Sequence, residues 1–109
     1  MAYDEALAER IRALIDDPTL VEKKMFGGLG FMVGGNMAIA ASGQGGIMVR
    51  VDPAEGEELI ATTPAEPMEM RGRAMTGWLR VATDQVATDD DLREWVDRGV
   101  AYAGSLPSK

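Results

Sequence analysis

Leu7, Ile11, Leu14 and Ile15 recur at helical spacing, while Glu9, Arg10 and Arg12 fall off that stripe, so residues 4–16 read as an amphipathic helix. Asp17-Pro18 disfavours continuation, because the residue before a proline is pushed out of the α region. Asp16 and Asp17 then sit at the negative end of the helix dipole, an arrangement with no local explanation. Beyond them the pattern changes. Residues 25–33 and 37–41 are apolar and dense in glycine, and Gly34-Gly35-Asn36 between them reads as a hairpin connection. Gly43-Gln44-Gly45-Gly46 reads as a second turn, and residues 47–51 alternate as a third strand. Gly27, Gly28 and Gly30 suggest a bulge or a close backbone approach within the first of these strands.

Asp52-Pro53-Ala54-Glu55 is the strongest local signal. Asp52 can accept from free amide hydrogens, Pro53 suits the first helical position and Glu55 stands at capping-box spacing. A short helix over about residues 53–61 should follow, ended by Thr62-Thr63-Pro64. A short strand is expected around residues 68–70, a turn at Arg71-Gly72-Arg73 and a longer strand over 75–81. In that strand Gly77, Leu79 and Val81 share one side, and Thr76, Trp78 and Arg80 the other. Thr88 and Asp91 open a last helix whose stripe is Leu92, Trp95, Val96, Val100 and Ala103, with Leu106-Pro107 closing it. The order is α-β-β-β-α-β-β-α: a single α+β domain over residues 1–109, with an antiparallel sheet.

Composition narrows the chemistry. The chain has no cysteine and no histidine, which excludes a disulfide framework, a Cys/His zinc site, a Cys or Ser–His nucleophile and a histidine acid–base. Eighteen acids against eleven bases give a net charge of −7, unfavourable for a general nucleic-acid or anionic-membrane binder. The first twenty residues are acidic and carry no signal-peptide core, and no apolar stretch approaches the length of a membrane span; a cytoplasmic protein is expected. The glycine run at 27–35 lacks the third glycine of a dinucleotide fingerprint and the Gly-Lys-Ser/Thr of a phosphate loop. Glu55, Glu57 and Glu58 follow a cap, and Asp89, Asp90 and Asp91 occupy a first helical turn; neither cluster requires catalysis or a metal. No enzyme, cofactor or metal ion is expected. The methionines read as gap-fillers of the core, and Trp95 as a core residue.

Charge is segregated: the acids lie on the predicted helices and connections, and the strand segments carry Lys23, Lys24, Arg50, Arg71, Arg73 and Arg80. Alternation puts Met48 with Arg50, and Trp78 with Arg80, on common sides of their strands. Two readings stay open. These residues form an open, basic face for a partner protein, a second copy or an anionic ligand, or the arginines pair with helix acids while Trp78 packs in the core.

Glu22-Lys23-Lys24-Met25-Phe26-Gly27-Gly28-Leu29, followed by Phe31-Met32-Val33 and Gly35-Asn36-Met37, resembles the hallmark of the TfoX/Sxy N-terminal domain family. So do Val49-Arg50-Val51, Pro67-Met68, Gly72-Arg73-Ala74-Met75-Thr76-Gly77-Trp78, Trp95-Val96, Gly99-Val100-Ala101-Tyr102 and Ser105-Leu106-Pro107. The resemblance implies a two-layer sandwich, α-β3-α-β2-α, with an antiparallel sheet. The family's namesakes are bacterial regulators of natural competence that act with a transcription factor of the cyclic-AMP receptor type and carry a second, C-terminal domain. The chain ends at Lys109 without that domain, so a stand-alone module is expected. The family brings no catalytic residues. The leading expectation is a non-enzymatic regulatory or adaptor protein acting on another protein, such as a transcription factor, with self-association through the open sheet face allowed. The alternative is a nucleic-acid or small-anion binder using the strand-segment cations, with Trp78 as a stacking surface.

Overall fold

The computed structural model describes residues 3–25, 27–43, 45–70 and 72–107, apart from the side chains of Met25, Glu69, Met70, Arg73, Ala74, Met75 and Thr76. Among the described residues the elements run α1 (Glu5–Leu14), β1 (Val21–Met25), β2 (Gly28–Val33), β3 (Asn36–Ala41), β4 (Ile47–Arg50), α2 (Pro53–Thr62), β5 (Glu66–Met70), β6 (Arg73–Val81) and α3 (Asp89–Ser105). A 3₁₀ turn at Thr83–Val86 precedes α3. The strands form one antiparallel sheet in the order β1-β2-β3-β4-β6-β5. The chain is thus α+β, but its first sheet segment holds four strands and not three.

The additional strand arises at Gly27. Its φ of +76° turns the chain between Met25 and Gly28, so the strand expected over residues 25–33 begins only at Gly28 and pairs with a preceding strand at Val21–Met25 that the pattern did not show. Gly28 then lies against β3; a Cβ there would stand 2.3 Å from the Ala41 carbonyl oxygen. β1 itself, Val-Glu-Lys-Lys-Met, is an edge strand whose first four residues are exposed. Lysines on such an edge discourage pairing with another chain.

The second hairpin is tighter than expected. Gly34 and Gly35, both at positive φ, form the whole two-residue connection, and Val33 pairs with Asn36. Asn36 therefore belongs to β3. It is buried, and its Nδ2 donates to the Pro107 carbonyl at 3.0 Å, tying the end of α3 to the start of β3.

Helix α1 is shorter than its apolar stripe suggested. Asp4 caps it by accepting from the Leu7 amide, and Ile15 is already extended. Asp16 and Asp17 consequently lie beyond the helix and do not oppose its dipole. Asp17 instead accepts from the amide and hydroxyl of Thr19, whose hydroxyl accepts from the Gly34 amide at 2.8 Å. These bonds hold its carboxyl below the usual range, with the Thr19 hydroxyl the larger cause. Helix α2 begins as the Asp-Pro signal requires, Asp52 accepting from the Ala54 amide at 2.9 Å. Helix α3 opens on Thr88, which accepts from the Asp91 amide.

Leu7, Ala8 and Ile11 of α1 and Leu92, Trp95, Val96 and Ala103 of α3 share one buried cluster with Leu29, Phe31, Ile39, Ala41, Ile47, Val49, Leu79 and Val81 of the sheet. Leu59 and Ile60 of α2 pack against the same cluster. All three helices therefore cover one side of the sheet, the two-layer arrangement. Arg10 fastens α1 to the start of α3, donating to the Val86 and Ala87 carbonyls and to Asp89. Arg12 holds Glu22 through two parallel bonds and so clamps the edge strand to α1. The Arg12 guanidinium lowers the Glu22 pKa, chiefly by hydrogen bonding.

The four methionines whose side chains are described, Met32, Met37, Met48 and Met68, are half-buried and contribute nothing to the core cluster. The expectation of methionine gap-filling is corrected at these positions. The core is built mainly from β-branched, leucine and alanine side chains with Phe31 and Trp95, and Met32, Met37 and Met48 sit where the sheet faces outward.

Candidate binding face

Strand alternation separates the two sides of the sheet. On β4, Ile47 and Val49 are buried while Met48 and Arg50 are half-buried. On β6, Leu79 and Val81 are buried while Trp78 and Arg80 are half-buried. Register places Met48 across from Arg80 and Arg50 across from Trp78, so Met48 and Arg80 share the side away from the helices, and Arg50 with Trp78 stand at the end of that row, where Tyr102 of α3 also reaches Arg50. The row through Met48 continues over Ala40 and Gly30 to Lys23 in one direction and over Arg80 to Glu66 in the other. Met32 and Met37 pair with each other further along β2 and β3, and Val21 pairs with Met32 at the edge. Val21 is 58% exposed. Among the described side chains, the side away from the core thus carries methionines, Trp78 and the cations Lys23, Arg50 and Arg80, with Gly30 and Ala40, both buried, between Lys23 and Met48.

The eight residues singled out in the sequence do not all gather there. Lys23, Met48, Arg50, Trp78 and Arg80 do. Lys24 does not: it pairs with Leu29, whose side chain is in the core, so it belongs to the helix side of the edge strand. Arg71 lies outside the described residues, as does the side chain of Arg73, whose backbone pairs with Met70.

The arginines divide by what they touch. Arg10, Arg12 and Arg98 each hold an acid, respectively Asp89, Glu22 and Glu94. Arg50 is held by aromatic rings: its guanidinium carbon stands 5.7 Å from the Trp78 ring centre and 5.7 Å from that of Tyr102. Such contacts contribute about 0.5–1 kcal/mol each at exposed sites and more where water is displaced. Arg80 donates to the Gly45 carbonyl at 3.5 Å and has Glu66 across from it in register. Trp78 is therefore not a core residue.

Tyr102 escaped the sequence reading. It lies on α3 seven residues beyond Trp95, outside the expected stripe of Leu92, Trp95, Val96, Val100 and Ala103 but on its Trp95 side, and only the packing of the helix end against the sheet brings it to Arg50. A signal was available, since Trp95, Arg98 and Tyr102 follow one another on one side of α3, and Arg98 itself stacks on Trp95 at 4.7 Å.

Gly99 sets how close α3 comes. A Cβ there would lie 2.3 Å from the Ala38 carbonyl oxygen, so the helix rests on the backbone of β3 with no side chain between. The acidic clusters stay on the opposite layer: Glu55, Glu57 and Glu58 on α2 and Asp89, Asp90 and Asp91 on α3 are all exposed. Among the described residues no three acids converge in a way that could hold a metal ion. A shallow concavity between α2 and α3 has Asp91 and Glu94 on its wall together with Arg98 and Trp95. Among the described residues no helix is long and apolar enough to cross a membrane.

An α+β chain with a helix-covered antiparallel sheet and a methionine-bearing reverse side is the class these elements define. The model of the TfoX N-terminal domain matches residues 13–103, and the chain belongs to that family. The match runs from the end of α1 to the last turns of α3, spanning all six strands. Comparison with curated proteins finds no match.

Proposed function

We propose that this chain is a small regulatory or adaptor module, not an enzyme, whose sheet face opposite the helices docks a partner protein. The observation that supports it is the composition of that face. Met32, Met37, Met48 and Trp78 line the sheet side opposite the buried cluster, with Tyr102 of α3 reaching it at Arg50, and methionine, tryptophan and arginine are the residue types enriched at the centres of protein interfaces. Family membership suggests a transcription factor as the partner and the cytoplasm as the compartment. A second copy of the chain is the other protein that could use the same surface.

The test is capture of partners from host lysate, with and without nuclease and at low and moderate salt, by the parent chain and by Met48→Glu. A protein retained by the parent through both treatments and lost on the variant supports docking at this face. Retention by both chains places the contact elsewhere. Binding abolished by nuclease or by moderate salt favours the nucleic-acid reading, because phosphate contacts by several cations weaken steeply with salt. That second reading draws on Arg50 between two rings, and is opposed by the net charge of −7 and by the loss of Lys24 from the face.

A further inference from the structure

We infer that Arg50 is a carboxylate-recognition point, taking one Asp or Glu side chain of an otherwise apolar partner segment laid across Met48 and Trp78; this rests on the docking reading above. Four observations carry it. First, the Arg50 guanidinium makes no ion pair or hydrogen bond with any described residue, whereas those of Arg10, Arg12 and Arg98 each hold an acid. Second, its freedom is reduced: it is half-buried, and its guanidinium carbon stands 5.7 Å from the ring centres of both Trp78 and Tyr102. Rings engage the flat face of a guanidinium and leave the N–H donors around its edge for a planar, two-oxygen acceptor. Third, no described side-chain nitrogen is both fully buried and unpartnered, so those donors remain within reach of a ligand. Fourth, the neighbouring cation has an acid nearby, Glu66 across from Arg80, while the residue across from Arg50 is Trp78.

The class of anion follows from charge. A chain at −7 repels a polyanion in proportion to the ligand's charge, and among the described side chains only the cations Lys23 and Arg80 join Arg50 on this face. A segment with a single carboxylate carries little of that penalty, and its apolar residues cover the methionine and the indole. Partial removal of water around Arg50 strengthens the charged hydrogen bond that forms.

The experiment is an NMR titration of the full chain with the capped tripeptide acetyl-leucyl-glutamyl-leucinamide, following the Arg50 Nε–H and Trp78 indole N–H signals. Its glutaminyl counterpart, inorganic phosphate and a ten-nucleotide oligothymidylate are run in parallel at constant ionic strength. Saturable shifts are expected with the glutamyl peptide. Binding should be about ten-fold weaker or more with the glutaminyl peptide, and similarly reduced in Arg50→Lys, which keeps the charge but loses the fork. Tyr102→Leu, which leaves Arg50 in place but frees it, should also weaken binding. Equal binding of both peptides would overturn carboxylate recognition while leaving the docking face standing. Tighter binding of phosphate or oligothymidylate would overturn it in favour of an anion site. Absence of any shift with the glutamyl peptide would overturn it outright, and the Met48→Glu capture then decides the docking reading separately.

Discussion

Replacing Gly99 by alanine isolates one contact between the helical layer and the sheet. In an ordinary helix interior the change is favourable by about 0.5–1 kcal/mol, because alanine loses less backbone entropy. Here the new methyl would lie 2.3 Å from the Ala38 carbonyl oxygen, 3.0 Å from its carbon and 3.4 Å from Val49 Cγ1. The first two are backbone atoms of a central strand and cannot rotate aside. Relief requires α3 to withdraw by roughly 1 Å, and overpacking of this kind costs about 1–3 kcal/mol. The steric cost exceeds the propensity gain, so Gly99→Ala should lower stability by about 1–2 kcal/mol, equivalent to roughly 4–12 °C in Tm for a domain of this size.

Gly104 supplies the control within the same helix. It is exposed, and a Cβ there meets nothing within 4 Å, so Gly104→Ala should raise stability by up to about 1 kcal/mol. Urea unfolding followed by far-ultraviolet circular dichroism measures both. The withdrawal should also move Tyr102, three residues along, and change the Arg50 Nε–H environment. Equal gains in the two variants would refute the close approach of α3 to β3.

Two other perturbations test the joints of the fold. Asn36→Ala removes the bond from buried Nδ2 to the Pro107 carbonyl and should cost about 1 kcal/mol, with amide exchange accelerating first in the last turn of α3; Asn36→Asp sets an oxygen against that carbonyl and should cost more. Acid should loosen the edge strand. Asp17, bonded by Thr19, and Glu22, bonded by Arg12, have pKa values lowered in the folded state. Each therefore binds fewer protons folded than unfolded; its stabilisation is complete above the unfolded value, near pH 4, and is lost as pH falls through the lower folded value. The urea midpoint should decline between about pH 5 and pH 3, and Glu22→Gln should flatten that decline while lowering the midpoint at neutral pH. An unchanged slope in the variant would remove Glu22 from the account.

Much of this architecture could be read along the chain because the signals are local. Asp52-Pro53 and Thr88 mark helix starts through their own amide partners, Gly34-Gly35 turns a hairpin through its own φ angles, and alternation on residues 47–50 and 77–81 separates core from open side. The failures share a cause. Residues 21–24 show no strand pattern because an edge strand need not be apolar, and β1 is secured by pairing with β2 and by the distant Arg12. Lys23 and Lys24 look equivalent in sequence, and only the register with Gly30 and Leu29 sends them to opposite sides.

The sequence by itself determined the helices, their caps, the glycine turns and the parity of each long strand, since these depend on bonds within a few residues. Tertiary structure alone decided that β6 inserts between β4 and β5, that Asn36 holds the Pro107 carbonyl after α3, and that Tyr102 and Trp78 both reach Arg50. Those outcomes depend on which surfaces are buried together, and burial is a property of the whole packed domain.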